Sequence, residues 1–367
     1  MAGRFIAAQD IGFAGNARPK FRLKRAKVRL ATARLRWLEI GDSTTAGTLV
    51  PGRATSTPGR LAALLNTAGL SASDHSSFGD AGKGTAANFV AYDPRWGLGS
   101  GWDVYASADF RTLGGGMWSN QTTTNAASFT PTGNVDTFIL HYARVGSPGS
   151  MTVDIDGAPS GPGFASVNTQ GANAMLTVTV THATPGAHTL NIKRVSGVII
   201  LVGVIAYNST VPAVDVINCG WSGSLSTNWN VATWPWSPIN AITTIAPDMT
   251  RINLGINDWD AAQRTDITTF QTNIATITTT AKASGDVMLT KPFPSDVSVA
   301  SVAVQQQFCA AIGAVATAQS CEILDLQARF IDYVAAAAAG FTSNDNYHPS
   351  LEGYSDIAEP LAAWALA

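Results

Sequence analysis

Two kinds of hydrophobic pattern alternate along the chain, and they predict two kinds of structure. Short, mostly apolar runs that are each followed by a polar loop are typical of buried parallel strands. Such runs occur at residues 36–40, 214–218, 249–254, 286–290 and 322–326. Longer stretches with apolar residues at helical spacing occur at residues 60–67, 266–284 and 299–319. Because strands that alternate with helices form parallel sheets, this pattern predicts an α/β layer.

A different pattern fills the middle of the chain, where short β-type runs are separated by turn signals such as Asp156-Gly157 and Pro185-Gly186. The strand candidates are residues 135–142, 151–156, 175–181, 188–194 and 198–207. Regular short strands of this kind predict a β-sandwich or jelly roll. We therefore predict a discontinuous α/β domain formed by residues 36–75 and 209–367, which is interrupted by an inserted β-sandwich domain at residues 76–208. Ser350 is placed to cap a last helix, which Pro360 is expected to kink or break.

Composition and charge narrow the class of protein. The 367 residues are 46% hydrophobic and only 13% charged, which predicts a folded chain with a sizeable core. Residues 1–36 carry ten Lys/Arg and one acidic residue, whereas the remainder carries 13 Lys/Arg and 24 acidic residues. The acidic remainder argues against nucleic acid as a partner. The basic segment, residues 1–35, is predicted to be an N-terminal arm, either an anchor or a solvated strand edge or flexible leader.

Targeting signals and metal motifs are absent from the sequence pattern. The start of the chain lacks the apolar stretch of a signal peptide, and the longest apolar run, residues 198–206, is too short to span a bilayer. The compartment and the oligomeric state stay open, and an extracellular or phage-particle location is favoured. Buried free thiols are favoured for the three cysteines over a Cys309–Cys321 pair, and no Cys/His cluster has metal-ligand spacing. We therefore expect no metal or other cofactor.

Three residue types that can share one proton path occur in separate parts of the chain. Ser43 follows the first predicted strand, which is where ligands bind in α/β sheets. His348 precedes the last helix, and Asp345 lies three residues upstream, so one turn can aim its carboxylate at the imidazole. A hydroxyl, an imidazole and a carboxylate can act as nucleophile, base and orienting group. The sequence therefore makes Ser43, His348 and Asp345 candidate catalytic residues.

Other residues after predicted strands suit an oxyanion site or a substrate pocket. The side-chain amide of Asn257, in Gly255-Ile256-Asn257-Asp258, can donate to an oxyanion. The Gly220 backbone N–H can approach a substrate oxygen closely, and Gly82, in Asp80-Ala81-Gly82-Lys83-Gly84, is the rival candidate. Aromatic residues are crowded near these segments, and their faces can line an acyl or sugar pocket. The substrate-binding candidates among them are Trp221, Trp259 and Tyr347.

Four of these segments, in this order, resemble the sequence blocks of the SGNH/GDSL hydrolase superfamily. They are Gly41-Asp42-Ser43, Asn218-Cys219-Gly220-Trp221-Ser222-Gly223, Gly255-Ile256-Asn257-Asp258 and Asp345-Asn346-Tyr347-His348. The resemblance implies a three-layer α/β/α flavodoxin-like fold with a parallel sheet. It also implies Ser43 as nucleophile, His348 as base, Asp345 as its partner, and an oxyanion hole from the Ser43 and Gly220 N–H groups and the Asn257 side chain. The wide gap between Ser43 and Gly220 is explained by the predicted insertion.

The resemblance implies a serine esterase. The inserted region is similar to carbohydrate-binding-like jelly rolls that accompany some esterases of the superfamily, although a purely structural role fits equally well. A short acyl ester, in particular an acetyl ester on a polysaccharide, is therefore the expected substrate. The alternatives are a lipid or thioester hydrolase of the same superfamily and a non-catalytic glycan-binding virion or surface protein.

Overall fold

The computed structural model describes residues 18–105, 111–120 and 122–367. The strands are β1 (Leu35–Gly41), β2 (Ala72–Ser73), β3 (Ser77–Phe78), β4 (Trp96–Leu98), β5 (Trp102–Tyr105), β6 (Met117–Asn120), β7 (Ala127–Phe129), β8 (Val135–Arg144), β9 (Gly149–Ile155), β10 (Phe164–Asn168), β11 (Ala174–Gly186), β12 (Leu190–Gly197), β13 (Ile199–Tyr207), β14 (Val214–Gly220), β15 (Met249–Asn253), β16 (Asp286–Lys291) and β17 (Glu322–Asp325). The helices are α1 (Pro19–Arg29), α2 (Ser43–Ala46), α3 (Thr57–Thr67), α4 (Ala86–Tyr92), α5 (Ser226–Trp229), α6 (Pro238–Ile245), α7 (Ile267–Ser284), α8 (Val302–Gln319), α9 (Leu326–Phe330), α10 (Tyr333–Ala338) and α11 (Leu351–Leu366).

A parallel sheet with the strand order β17-β16-β15-β1-β14-β2 forms the centre of the first unit. Alternate residues of its strands point to opposite faces. One face packs against α1, α3 and α11, and the other packs against α6, α7 and α8. The predicted three-layer α/β/α fold is therefore confirmed. Gly41 lies beside both Gly220 and Asn253 in the sheet, so the loops that follow β1, β14 and β15 meet at one edge.

Two antiparallel sheets form the middle of the chain, with the orders β10-β9-β12-β7-β4 and β11-β8-β13-β6-β5. Their facing sides share one hydrophobic core, to which Phe129 and Val153 contribute from the first sheet and Phe138 and Val204 from the second. The outer side of the second sheet joins the core of the α/β unit. Two sheets on a common core form a sandwich. The jelly-roll assignment and the domain boundaries stay predictions.

The prediction of a basic N-terminal arm is wrong from Pro19 onward, because helix α1 packs against the α/β unit. The Phe21 ring lies 5.5 Å from Trp37 and 4.7 Å from Trp364, measured between ring centroids, and it is fully buried. A guanidinium N–H of Arg25 donates to the Ala365 carbonyl at 2.7 Å. Three arginines, Arg18, Arg25 and Arg29, therefore donate to the last carbonyl groups of α11. Residues 1–17 lie outside the described residues.

The other differences from the sequence-based elements are small. Helix α11 runs through Pro360, so the break that we gave as one of two expectations does not occur there. Cys219, Cys309 and Cys321 are all free and buried, as favoured. In the described part of the chain, every helix is too short or too polar to cross a bilayer.

Candidate active site

The Ser43 hydroxyl is presented by a tight connection between β1 and α2. The side chain of Asp42 caps α2, and its Oδ1 accepts hydrogen bonds from the Thr44 N–H at 2.9 Å and the Thr44 hydroxyl at 2.7 Å. Ser43 is the first residue of that helix, so its own N–H is one of the unpaired donors at a helix N-terminus. Burial raises the pKa of Asp42 to about 6, against the hydrogen bonds from Thr44.

The loop before α11 brings His348 to this serine. The His348 Nε2 atom lies 2.7 Å from the Ser43 Oγ atom, and the His348 Nδ1 atom pairs with Asp345 Oδ2. The other carboxylate oxygen, Asp345 Oδ1, accepts hydrogen bonds from the Ser343 hydroxyl at 2.7 Å and from the backbone N–H groups of Tyr347 at 3.1 Å and His348 at 3.0 Å. The three side chains predicted from separate segments are therefore brought into one hydrogen-bonded row.

The environment of Asp345 favours its charged form. Partial burial by itself would raise the pKa of this carboxyl group. The hydrogen bonds from the His348 ring, the Ser343 hydroxyl and the His348 backbone outweigh that effect and hold the pKa well below its usual value. A charged carboxylate beside Nδ1 keeps a proton on that nitrogen, so Nε2 is free to accept the proton of Ser43.

Asn257 lies in the loop after β15, beside the loop that follows β14. Its Nδ2 atom donates to the Ser224 carbonyl at 2.9 Å, which leaves the second amide hydrogen for another acceptor. The neighbouring Asp258 is buried and accepts hydrogen bonds from the backbone and hydroxyl of Ser226 at the start of α5. Asn257 is therefore held by fixed neighbours on both sides.

The structure contradicts Gly220 as a donor to an oxyanion. Its N–H donates to Asn218 Oδ1 at 2.9 Å, so it has no hydrogen left to offer. A Cβ atom at Gly220 would lie 2.1 Å from the Ala46 nitrogen, so a glycine is required there for packing against α2. The rival Gly82 is occupied in the same way, since its N–H donates to Asp80 Oδ1 at 2.9 Å.

Gly223, the second glycine of the same motif, has the properties that Gly220 lacks. It is exposed and has φ +78°, and a Cβ atom built on it meets nothing within 4 Å. Among the described residues its N–H has no hydrogen-bond partner. It directly precedes Ser224, whose carbonyl accepts from Asn257. The pattern Asn-x-Gly-x-x-Gly contains both glycines, so the sequence carried a signal for Gly223, but our interpretation of the motif placed the donor at Gly220.

The aromatic candidates separate by burial. Trp259 is fully buried, and its indole N–H donates to the Ser295 hydroxyl at 3.0 Å, so it cannot contact a substrate and the prediction for it is wrong. Trp221 and Tyr347 are partly exposed, and their substrate-binding role stays a prediction. The Tyr347 hydroxyl donates to Asp260 Oδ2 at 3.0 Å, which links the histidine loop to the Asn257 loop. Within the described residues, no group of three or more His, Cys, Asp or Glu side chains is placed to hold a metal ion.

Residues 205–355 match the family model described as GDSL-like Lipase/Acylhydrolase family. This region includes Gly223, Asn257, Asp345 and His348, whereas Ser43 precedes it. No curated protein matches the chain.

Solved structures are similar to this chain in fold. A peptidoglycan O-acetylesterase is 18% identical with a TM-score of 0.68, and the match covers 95% of this chain and 96% of that one. A lipase/acylhydrolase from Enterococcus faecalis is 19% identical with a TM-score of 0.35, covering 41% of this chain and 75% of that one. A family two carbohydrate esterase from Clostridium thermocellum is 13% identical with a TM-score of 0.32, covering 73% and 97%. The first of these matches shows that the two chains share a fold over 95% of this chain.

Proposed function

We propose that this chain is a carboxylic ester hydrolase that removes short acyl groups, in particular acetyl, from a carbohydrate, and the match of residues 205–355 to the GDSL-like lipase/acylhydrolase family model supports this proposal. The observation that carries the proposed mechanism is the hydrogen-bonded row from Asp345 through His348 to Ser43, with 2.7 Å between His348 Nε2 and Ser43 Oγ. This separation is within the reach needed for proton transfer from a nucleophile to its base.

In the acylation step, the Ser43 hydroxyl attacks the ester carbonyl while His348 Nε2 takes its proton. Asp345 stabilises the resulting imidazolium because its carboxylate stays charged beside Nδ1. The protonated imidazole then gives its proton to the leaving sugar oxygen. In the deacylation step, His348 takes a proton from water as the water oxygen attacks the acyl-enzyme carbonyl. The imidazolium then returns that proton to Ser43 Oγ as the bond between Ser43 and the acyl group breaks, which releases the free acid and restores the serine hydroxyl.

The oxyanion of each tetrahedral intermediate is assigned three donors, which are the Ser43 N–H, the Gly223 N–H and the Asn257 side-chain amide. Gly223 replaces Gly220 in this set because the Gly220 N–H is already donated to Asn218. Donors fixed before the reaction stabilise charge that develops only in the transition state. Losing one such donor typically costs about 100- to 1,000-fold in kcat.

Polar groups around the serine support a hydroxylated leaving group. The Thr48 and Ser222 hydroxyls lie 3.0 Å apart near Ser43, and Tyr347, the residue before His348, is partly exposed. Such groups can form a further hydrogen bond with a sugar alcohol, which a long apolar acyl chain does not offer. The fold likeness to a peptidoglycan O-acetylesterase makes acetylated glycans the first substrates to assay.

The test compares wild type with Ser43→Ala on p-nitrophenyl acetate and on acetylated polysaccharides, with released acetate as the readout. We expect acetate release by wild type and loss of at least about 1,000-fold in Ser43→Ala. Equal rates in the two proteins would remove Ser43 from the mechanism. Binding of the glycan without any acetate release would instead support a non-catalytic glycan-binding protein.

Acyl chain length separates the two hydrolase alternatives. We expect the highest kcat/KM for acetyl among p-nitrophenyl esters of two to about sixteen carbons, because the surroundings of Ser43 are polar. A maximum at long chains would reject the acetyl proposal and favour a lipid hydrolase.

A further inference from the structure

A buried carboxylate outside the candidate catalytic row contacts the loop that carries Gly223. Asp80 is 1% exposed and precedes the antiparallel sheets. Its Oδ1 accepts the Ser222 N–H at 3.0 Å, and its Oδ2 accepts the Ser222 hydroxyl at 2.5 Å. Ser222 is therefore held at two points, through its backbone and its side chain. The residue that follows it is Gly223.

This contact matters because it holds the residue that directly precedes the Gly223 N–H. The two hydrogen bonds fix the backbone nitrogen and the side chain of Ser222, so one torsion, ψ of Ser222, separates the held atoms from the planar peptide unit that carries the Gly223 N–H. Glycine at φ +78° cannot supply that restraint, because it has no side chain and visits many backbone conformations. The chain needs an external contact to keep this N–H in place, and Asp80 makes two hydrogen bonds to the preceding residue.

A second set of contacts joins Asp80 to the nucleophile turn. The Ser222 hydroxyl lies 3.0 Å from the Thr48 hydroxyl, and the Thr48 N–H donates to the Ser43 carbonyl at 3.0 Å. The Lys83 ammonium lies 3.8 Å from Asp80 Oδ2 and 3.5 Å from the Thr48 hydroxyl. Burial raises the pKa of Asp80, while the Ser222 hydroxyl and Lys83 oppose that shift.

The inserted region reaches the same loop from a second side. A Cβ atom at Gly115 would lie 2.4 Å from the Trp221 ring, so the backbone there presses directly on the residue before Ser222. A Cβ atom at Gly79 would lie 2.4 Å from the Gly114 carbonyl oxygen, so the two contacting segments also pack on each other. Segments of the predicted insertion, residues 76–208, thus contact the loop after β14 at both Trp221 and Ser222.

We propose that Asp80 is a positioning residue of the esterase, which acts through Ser222 to hold the Gly223 N–H toward the oxyanion. The predicted insertion, residues 76–208, then helps to position an oxyanion donor of the α/β domain. This inference rests on the proposed function, because a positioned donor matters only if Ser43 forms a tetrahedral intermediate.

The main variant is Asp80→Ala, assayed on p-nitrophenyl acetate. We expect kcat to fall about 10- to 100-fold with KM within about twofold. The Gly223 N–H stabilises only the transition state, so the loss of its correct position lowers kcat and leaves substrate binding nearly unchanged. Binding of a boronic acid that forms a tetrahedral adduct on Ser43 should weaken by a similar factor. A merely structural role would reduce the number of active sites without changing kcat per titrated site.

Two further variants keep the test decisive if Asp80→Ala folds poorly. Asp80→Asn retains an oxygen for the Ser222 N–H, and it should keep kcat within about fivefold of wild type. Ser222→Ala removes the hydroxyl contacts with Asp80 and Thr48 and keeps the backbone hydrogen bond to Asp80. Combining it with Asp80→Ala should cost less than the sum of the separate effects, because both substitutions disrupt the contact between Asp80 and Ser222.

The chain offers a matched control in Asp136. Its Oδ1 accepts the Ser209 N–H at 2.9 Å and its Oδ2 accepts the Ser209 hydroxyl at 2.7 Å, which is the same two-point contact. Ser209 precedes β14, at the end of that strand opposite the candidate site. Asp136→Ala should lower stability and leave kcat per titrated site unchanged.

The outcomes separate the two proposals. An inactive Ser43→Ala together with wild-type kcat and boronate affinity in Asp80→Ala would overturn the role of Asp80 and leave the esterase intact. Equal losses of kcat in Asp80→Ala and Asp136→Ala would also overturn it, because the effect would then be general. An active Ser43→Ala would overturn the proposed function itself.

Discussion

The substitution Asp345→Asn tests the proposed catalytic row most sharply, because the structure fixes how the new amide must sit. Oδ1 of Asp345 accepts three hydrogen bonds, from the Ser343 hydroxyl and from two backbone N–H groups. In Asp345→Asn the amide oxygen must stay at that position, since an NH2 group there would face three donors. The NH2 group is therefore directed at His348 Nδ1.

The consequence is a wrong tautomer of the imidazole. A donor facing Nδ1 requires that nitrogen to accept, so the ring proton moves to Nε2, which faces Ser43. Nε2 can then no longer take the serine proton. The same change in a Ser-His-Asp triad lowers kcat by roughly 10,000-fold. At 1.36 kcal/mol for each tenfold change, this loss corresponds to about 5 kcal/mol of transition-state stabilisation.

The assay is kcat on p-nitrophenyl acetate at pH 7.5, with near-ultraviolet circular dichroism to verify folding. The matched control is Ser343→Ala, which removes one donor to Oδ1 and leaves the pair with Nδ1, so kcat should stay within about tenfold of wild type. A folded Asp345→Asn protein that loses less than about tenfold would refute the assignment of Asp345 as the orienting group.

Three other substitutions test the buried groups, with urea unfolding as the measurement of stability. Asp42→Asn should raise the free energy of unfolding by up to about 3 kcal/mol at pH 8, because burial raises the pKa of Asp42 to about 6 from an unfolded value of about 3.9. Arg251→Met should cost about 3–5 kcal/mol, because it leaves the buried Glu39 carboxylate without the partner 2.7 Å away. Trp259→Phe should lower stability and leave KM for aryl acetates within about twofold, because Trp259 is fully buried.

The effect of Asp42→Asn on the free energy of unfolding should depend on pH in a defined direction. A carboxyl group whose pKa is raised by folding destabilises the folded protein once it must ionise, so the penalty grows between about pH 4 and pH 6 and is complete above that range. The gain from Asp42→Asn should therefore vanish at pH 4, and an equal gain at pH 4 and pH 8 would contradict the burial argument.

An unchanged free energy of unfolding in Arg251→Met would show that Glu39 does not depend on its ion pair. A large rise of KM in Trp259→Phe would show that Trp259 affects substrate binding after all.

Much of the fold could be predicted from local patterns. Strand β14 and helix α7 were recognisable because their apolar residues follow the periods of a strand and a helix. Helix α1 was not recognisable, since only Phe21 and Val28 are buried in a segment dominated by Lys and Arg. Its helical state depends on packing against Trp37 and Trp364, which are distant in sequence.

The sequence by itself determined the candidate row of Ser43, His348 and Asp345, because each residue follows a recognisable strand or precedes a recognisable helix. Tertiary structure alone showed that Gly220 is not free to donate to an oxyanion, since the Asn218 side chain already accepts its N–H. It also decided that Asp80 contacts Ser222 across 142 residues of sequence. Local patterns report which face of an element is buried, whereas the direction of one N–H depends on the contacts of distant segments.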